Sequence, residues 1–215
     1  MHLIWDWNGT LFDDLHIVVD GVNASLEAIG ASLRIDADGY RDNYRRPVRG
    51  FYDVMLERAI TDAEWDTINE RFHDVYLELL PGAGPAADAH DAVAYARSSG
   101  ATQSILSMWT HEQLVPTVSG YGLDAAMVAV RGAVAAEGDS KVELLRHHLD
   151  ELALGRKHRV VLIGDTFDDA AAALEVGAGA VFYDGGSHHR HQLEATGVPV
   201  ADTLMDAIDL AVELE

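Results

Sequence analysis

The chain has 215 residues, of which 48% are apolar and 24% charged, a composition typical of a globular protein and not of a disordered or membrane-embedded one. Acidic residues outnumber basic ones by 36 to 15, and the formal net charge of -21 argues against binding to nucleic acid or to anionic membrane surfaces. The absence of cysteine excludes disulfides and thiolate chemistry. Because there is also no spanning apolar segment and no leader-like N-terminus, we expect a cytoplasmic protein.

The first predicted strand, HLIW, runs into the segment WDWNGTLFDD at residues 5–14. An Asn-Gly pair between apolar residues is typical of a tight hairpin turn, and in a hairpin Asp6 would have no chemical role. A hairpin needs a second strand, but from Leu15 the apolar residues keep helical spacing up to Gly30. We therefore favour a loop that ends the strand and carries a chemically active aspartate.

Residues 15–80 are predicted to form an all-helical unit. Thr61 and Glu64 have the spacing of a capping box, and the apolar residues that follow lie on one face of a helix until the run PGAGP, which indicates a linker. The region before this helix, broken around Pro47 and Gly50, indicates one or two shorter helices.

After the linker, predicted strands and helices alternate. This alternation predicts an α/β fold with a Rossmann-like parallel sheet and helices on both of its faces. We expect residues 1–14 and 81–215 to form this core, with residues 15–80 inserted as a helical cap. The predicted strands are ATQSILS at 101–107, AMVAV at 126–130, RVVLIGD at 159–165 and AVFY at 180–183. Two helices are predicted at residues 86–99 and 168–177. Three further helices are predicted to begin near Thr110, Ser140 and Thr203.

Polar residues stand at the predicted carboxyl ends of the strands, where ligands bind in open parallel sheets. Asp6, Ser107 and Asp165 end strands, Asp169 follows one helical turn later, and Lys141 opens a helix. Three clustered carboxylates would repel each other unless a cation lay among them, and hard oxygen ligands suit Mg²⁺. With that charge offset, a phosphate group could approach Asp6 and be bound by a hydroxyl and by N–H groups of the loop.

These motifs, in this order, resemble those of the haloacid dehalogenase superfamily, and the inserted helical unit resembles the cap of its phosphoglycolate phosphatase-like branch. The resemblance covers nearly the whole chain. The matching residues are Asp6-Trp7-Asn8-Gly9-Thr10-Leu11 for the first motif, Ser107 for the second, Lys141 for the third, and Gly164-Asp165 with Asp169 for the fourth.

The resemblance implies a Mg²⁺-dependent phosphatase that hydrolyses a small phosphorylated metabolite. Asp6 would be the nucleophile and would form an aspartyl-phosphate that water hydrolyses. Asn8 would supply its backbone carbonyl to the ion, and Asp169 would lie near the ion or hold Lys141. The implied metal residues are Asp6, Asn8, Asp165 and Asp169, and the implied phosphate-binding residues are Gly9, Thr10, Ser107 and Lys141.

Asn8 departs from the family pattern. In the phosphatases this position is an aspartate that protonates the leaving alcohol and then activates water, and an amide cannot exchange a proton at neutral pH. General acid–base catalysis typically contributes about 10² to 10⁴ in rate. Turnover is therefore slow, or the leaving group needs no acid, or another group supplies the proton. Candidates for that group are Asp13, Asp14, His16 and His111.

Three alternatives to an efficient phosphatase stay open. The first is a catalytically weak or inactive relative that binds a phosphorylated ligand and acts by interaction. Phosphonatase and dehalogenase activities are minor alternatives, since those enzymes also lack the second aspartate.

Two basic segments complete the prediction. Arg45 and Arg49 are candidates for recognising a carboxylate or a second phosphate on the substrate. The segment SHHRH at 187–191 is interpreted as an exposed helix start and not as a metal site, because adjacent histidines point apart.

Overall fold

A computed structural model describes residues 1–134, 140–154 and 159–214. Contacts divide the chain into two compact units. The core unit consists of Met1–Asp13, Pro85–Gly186 and Arg190–Glu215, and the helical unit consists of Asp14–Gly84 with Ser187–His189. In the part of the chain that is described, no helix is both long and apolar enough to cross a membrane.

Six strands of the core unit form a parallel sheet. The strands of the described residues are β1 (His2–Trp5), β2 (Phe12–Asp13), β3 (Gly84–Pro85), β4 (Thr102–Thr110), β5 (Ala129–Ala133), β6 (Val160–Gly164), β7 (Gly179–Tyr183) and β8 (Val200–Ala201). Six of them form one sheet in the order β5-β4-β1-β6-β7-β8, and all neighbours in it pair in parallel. The predicted α/β fold with a Rossmann-like parallel sheet is confirmed.

Ten helices accompany the strands in the described residues. Four belong to the helical unit: α1 (Leu15–Ala28), α2 (Ala37–Asn43), α3 (Val48–Met55) and α4 (Asp62–Leu79). Six belong to the core unit: α5 (Ala89–Ser98), α6 (His111–Gly120), α7 (Lys141–Leu152), α8 (Phe167–Glu175), α9 (Arg190–Glu194) and α10 (Leu204–Glu213). Helices α8 and α10 pack on β7, α7 packs on β4, and α6 packs on β5. The predicted capping of α4 by Thr61 is confirmed, and Ser140 caps α7 at the predicted start of that helix.

The position of β1 at the centre of the sheet decides where the site forms. All four of its residues are buried, as expected for a strand that is covered on both faces. Its neighbours are β4 and β6, with Trp5 in register with Ile105 and Ile163. The carboxyl ends of these three strands therefore lie side by side, although the strands are about 100 and 60 residues from one another along the chain.

Three predicted boundaries are wrong. Strand β4 continues beyond residue 107 to Thr110, with a register shift against β5 after Leu106. Strand β5 begins at Ala129 and not at residue 126, because residue 126 belongs to a 3-10 turn formed by residues 124–126. Gly50 lies inside α3, so that only the region of Pro47 separates the two short helices.

The segment at residues 187–191 is not the exposed helix start that its sequence predicts. His188 is only 3% exposed, and its ring lies 5.5 Å from that of Tyr44, so that packing removes it from water. His189 Nε2 lies 3.2 Å from Asp42 Oδ1. Both histidines thus belong to the helical unit, and helix α9 begins only at Arg190.

A polar cluster is buried beneath the sheet of the core unit. His2 on β1, Ser104 on β4 and His148 on α7 are all fully buried. The Ser104 hydroxyl lies 2.8 Å from His2 Nε2 and 2.7 Å from His148 Nε2, and His2 Nδ1 lies 2.8 Å from Thr102 Oγ1. These contacts satisfy polar groups that would otherwise be costly to bury.

We expect acid to destabilise the fold through His148. Burial, reinforced by repulsion from His2 and Arg131, lowers the pKa of His148 from 6.5 to about 4. The folded state therefore binds this proton more weakly than the unfolded chain does. The group has no effect on stability above about pH 6.5, and as the pH falls towards 4 it lowers the free energy of unfolding by up to about 3 kcal/mol. His148→Gln, which cannot take up a proton, should lose less stability than the wild type between about pH 7 and pH 4.5 in urea unfolding.

The matched control is His147→Gln, which changes the exposed neighbouring histidine on the same helix. It should follow the wild-type dependence of stability on pH. If His148→Gln also follows the wild-type curve, the buried histidine is not the source of the acid sensitivity.

Candidate active site

The loop after β1 is a tight turn that presents Asp6. The Asp6 N–H donates to the Ile163 carbonyl at 2.9 Å, so that the sheet continues to this residue. Gly9 has a φ of +70°, which favours glycine, and its N–H donates to the Phe12 carbonyl at 2.9 Å. The Asn-Gly pair therefore does form a turn, in the same loop that carries the aspartate. The turn is not part of a hairpin, because helix α1 follows the loop as predicted.

Lys141 connects the acidic residues of the site. Its Nζ atom lies 2.5 Å from Asp6 Oδ1 and 2.9 Å from Asp169 Oδ1, and it donates to the Leu106 carbonyl at 3.1 Å. The ammonium group and both carboxylates are buried. Three elements thus meet at one cation: the loop after β1, strand β4 and helix α8.

Asp165 is enclosed by backbone. The Thr10 hydroxyl donates to Asp165 Oδ1 at 3.3 Å. A Cβ atom on Gly9 would lie 2.5 Å from Asp165 Oδ2, and one on Gly186 would overlap the same side chain. Gly186 is not predicted from the sequence, although the Gly185-Gly186 pair just after strand β7 indicates a close approach of the backbone there.

Asp169 is held in one orientation by two sets of contacts. Its Oδ2 atom accepts from the Thr166 N–H at 3.0 Å and from the Thr166 hydroxyl at 2.6 Å, in the capping box of α8. Its Oδ1 atom contacts Lys141. A Cβ atom on Gly164 would lie 2.5 Å from Asp169 Cγ, which explains why glycine precedes Asp165 at the end of the strand. Both carboxylate oxygens of Asp169 therefore have protein partners.

The electrostatics of the cluster favour an added cation. Ligand atoms of Asp6, Asp165 and Asp169 all lie within 4.8 Å of one another. Taken together with the ammonium group of Lys141, these four side chains carry an excess of two negative charges. Burial raises the pKa of Asp6 to about 6, and repulsion from Asp169 adds to this effect while Lys141 opposes it. Burial alone would lower the pKa of Lys141, but the carboxylates of Asp169 and Asp6 more than reverse this. The lysine is therefore held as an ammonium ion.

Ser107 and Asn8 are brought together from two strand ends. The buried Ser107 hydroxyl donates to Asn8 Oδ1 at 3.3 Å and accepts from the Trp109 N–H at 3.0 Å. The N–H groups of Gly9 and Thr10 donate to carbonyls within the turn. The phosphate-binding roles of Gly9, Thr10 and Ser107 stay predictions, and each of these donors already has an acceptor in the structure.

Of the four other candidates for a proton donor, two accept hydrogen bonds from neighbouring groups and two are exposed. His111 Nδ1 accepts from the Gly132 N–H at 3.2 Å, and Asp14 Oδ2 accepts from the Tyr76 hydroxyl at 2.8 Å within the helical unit. His16 and Asp13 are exposed.

The two arginines predicted to recognise substrate differ in their contacts within the helical unit. The guanidinium group of Arg49 donates to the Ile60 carbonyl and pairs with Asp62 Oδ1, both at 2.8 Å. Arg45 makes one such contact, from Nε to the Asn43 carbonyl at 3.0 Å.

The chain is similar in sequence to known hydrolases. The model of a hydrolase family described as haloacid dehalogenase-like hydrolase matches residues 1–177. The phosphoglycolate phosphatase of Mesorhizobium japonicum is 28% identical over 206 residues, which cover 89% of this chain and 86% of that protein.

Two solved structures show how widely the fold is shared. A haloacid dehalogenase-like family hydrolase of Streptococcus pneumoniae has a TM-score of 0.83 at 15% identity, covering 97% of this chain and 96% of its own. Protein tyrosine kinase A of Mycobacterium tuberculosis has a TM-score of 0.78 at 20% identity, covering 99% of this chain and 98% of its own. Because proteins described as a hydrolase and as a kinase both match, these similarities show the fold only. The reaction has to be inferred from the residues of the site.

We expect Gly186→Ala to destabilise the core unit. The added Cβ would overlap the side chain of Asp165, and overpacking of this kind costs about 1–3 kcal/mol. Gly120→Ala is the matched control, because the space around its Cβ is open and alanine suits the end of helix α6. Urea unfolding of the two variants measures the difference, and equal stabilities would contradict the enclosure of Asp165.

Proposed function

Because the chain belongs to the haloacid dehalogenase-like hydrolase family, we propose that it is a Mg²⁺-dependent phosphatase that hydrolyses a small phosphorylated metabolite through Asp6. One observation carries the proposal: the three buried carboxylates of Asp6, Asp165 and Asp169 share a site with the ammonium group of Lys141. The excess of two negative charges matches one divalent cation, and a set of hard oxygen ligands suits Mg²⁺.

The residues at the site fit such an ion. Asp6, Asp165 and the backbone carbonyl of Asn8 would hold it. Asp169 is a weaker candidate for a ligand, because its two oxygens contact Lys141 and Thr166, and we assign to it the orientation of Lys141. When bound, the ion would offset the negative charge of the carboxylates and of the approaching phosphoryl group.

Asp6 is the proposed nucleophile. Lys141 holds its Oδ1 atom, so that Oδ2 is the atom assigned to attack phosphorus. The Oδ2–P bond forms while the bond from phosphorus to the ester oxygen breaks, which leaves an aspartyl-phosphate and an alkoxide. Water then attacks phosphorus, inorganic phosphate leaves, and the Asp6 carboxylate is restored. Lys141 would offset the charge of the transferring phosphoryl group, and Ser107 would bind one of its oxygens.

Asn8 limits this reaction at two steps. The departing alkoxide needs a proton and the attacking water must lose one, and the Asn8 amide can do neither. Of the other candidate groups, His111 Nδ1 accepts from the Gly132 N–H, Asp14 accepts from the Tyr76 hydroxyl, and Asp13 and His16 are exposed, so that we assign the proton transfer to none of them. We therefore propose that turnover is fast only for substrates whose leaving group is stable without a proton.

The presence of Asn8 also favours a second function. Without an acid–base group the site could still bind a phosphorylated ligand through Lys141 and the ion, and the protein would then act by interaction. The two functions differ in whether the wild-type protein releases phosphate catalytically.

The proposed substrate is a phosphoglycolate-like phosphomonoester. The support is the phosphoglycolate phosphatase relative, which matches along 89% of this chain. A substrate of this class carries a carboxylate, which an arginine would recognise. We assign this role to Arg45 in preference to Arg49, because the guanidinium group of Arg49 is already held by Asp62 and the Ile60 carbonyl.

We expect Asp6→Asn to abolish catalysis. Loss of the nucleophile should lower steady-state phosphate release by at least about 10³-fold for every phosphomonoester of a panel that includes phosphoglycolate. Asp124→Asn, which changes an exposed acid of the core unit, should leave the rate unchanged. Removal of metal with a chelator should stop release in the wild type, and added Mg²⁺ should restore it. Unchanged activity of Asp6→Asn would rule out the assigned nucleophile.

We expect Asn8→Asp to increase the hydrolysis of alkyl phosphates. A carboxyl group at this position would supply the missing acid, and the gain should be about 10- to 100-fold, within the range of general acid catalysis. The gain should be smaller for p-nitrophenyl phosphate, whose leaving group needs no proton. The control is Asn8→Ala, which removes the amide without adding an acid and should show no gain.

Two outcomes would oppose this account of Asn8. A lower rate on alkyl phosphates in Asn8→Asp would mean that the amide itself is required. No phosphate release by the wild type from any ester of the panel would favour the ligand-binding function.

A further inference from the structure

The helix that carries Lys141 is attached to strand β4 at two points. Near the start of α7, Lys141 donates to the Leu106 carbonyl at 3.1 Å. Two turns later, His148 Nε2 lies 2.7 Å from the Ser104 hydroxyl. Ser104 and Leu106 are two residues apart on the same strand, so the contact of His148 and the contact of Lys141 both depend on one placement of α7 along β4.

The polar contacts restrict that placement in both distance and angle. The buried residues of α7 are Lys141, Leu144, Leu145 and His148. The two leucines pack in an apolar cluster together with Ile4, Leu106 and Leu162, and such contacts have no preferred direction. A hydrogen bond, in contrast, is restricted in both distance and angle. The bond of His148 therefore limits how far the helix can slide or turn.

The hydrogen-bond network also has a defined direction. The Ser104 hydroxyl has a single hydrogen, and it lies between His2 and His148. His148 Nδ1 has no hydrogen-bond partner among the described residues, and burying an unpaired N–H group is less favourable than burying an unpaired lone pair. His148 then carries its proton on Nε2 and donates to Ser104, Ser104 donates to His2, and His2 donates to Thr102.

This network joins three of the elements that supply the site. His2 lies on β1, which leads to Asp6, Ser104 lies on β4, which leads to Ser107, and His148 lies on the helix of Lys141. Proton uptake would place a second N–H on the His148 ring without an acceptor in the described residues. The charged and titratable groups around that ring are His2 on β1, Arg131 on β5, and Glu151 and Lys141 on α7.

We propose that His148 is a positioning residue for Lys141: its hydrogen bond to Ser104 places α7 so that the ammonium group reaches Asp6 and Asp169. The expected effect on catalysis rests on the proposed phosphatase function. The expected effect on the position of Lys141 is independent of that function. Loss of the hydrogen bond would allow α7 to shift, and displacements of about 1 Å at a reacting group lower rates by about 100-fold.

The chain offers a direct readout of Lys141, because it contains only two lysines, Lys141 and Lys157. Protein labelled with ¹³C and ¹⁵N in lysine gives two sets of side-chain NMR signals, and Lys157→Arg identifies those of Lys141. We expect the Lys141 signals to move towards those of a solvated lysine in Ser104→Ala and in His148→Leu. They should stay near the wild-type position in His148→Gln, whose side-chain amide can still donate to Ser104.

Ser25→Ala is the matched control. Ser25 is also fully buried, and its hydroxyl donates to the Gly21 carbonyl at 2.8 Å within the helical unit. Its loss removes a buried hydrogen bond without touching α7, and the Lys141 signals should not move. Phosphate release adds a second readout: in Ser104→Ala we expect kcat to fall by about 10- to 100-fold with little change in KM, and His148→Gln to recover most of the wild-type rate.

The outcomes separate the positioning role from the proposed function. Lys141 signals that stay at the wild-type position in both Ser104→Ala and His148→Leu overturn the positioning role, whatever the activity. Signals that move equally in Ser25→Ala overturn it as well, because the effect is then one of general destabilisation. Absence of phosphate release in the wild type overturns the proposed function, and the NMR result still decides the position of Lys141. If His148→Leu does not fold, Ser104→Ala carries the test.

Discussion

The site depends on one buried ammonium ion that lies within 3 Å of two carboxylates. Charges removed from water are stable only when each has a close and well-oriented partner, because the cost of removing them from water is several kcal/mol per ion. Lys141 meets that requirement only if the loop after β1, helix α7 and helix α8 are all correctly placed. Much of the core unit can be understood as the scaffold that delivers these three groups to one point.

The scaffold achieves this with few side chains of its own. Parallel pairing places the carboxyl ends of β1, β4 and β6 next to each other, so that residues far apart in sequence become neighbours. Close approach is then possible because glycine stands where a side chain would collide. Gly9 and Gly186 leave room for the carboxylate of Asp165, and Gly164 leaves room for that of Asp169. The acidic groups are thus positioned largely by backbone.

The central part of this arrangement is predictable from sequence, because it follows from local patterns. Apolar runs ending in Asp6, Ser107 and Asp165 identify strand ends, and a parallel sheet brings such ends together. The contributions of Gly186 and His148 are not predictable in this way. Each acts through a neighbour that is distant in sequence, Asp165 for Gly186 and Ser104 for His148, and no local pattern encodes that distance. His188 shows the same limit, since it is buried and packs on Tyr44, a residue more than 140 positions away along the chain.

The turn at Asn8 and Gly9 also bears on the chemical lifetime of the protein. An Asn-Gly pair deamidates when the main-chain nitrogen of the glycine attacks the side-chain carbonyl of the asparagine. Here the Gly9 N–H donates to the Phe12 carbonyl, and the Asn8 side-chain oxygen accepts from Ser107. The attack therefore requires that the turn open first, and the rate of ageing at this position follows the opening of the loop. A molecule that has deamidated to aspartate carries a carboxylate in place of the amide at position 8, so age itself would change the chemistry of the site.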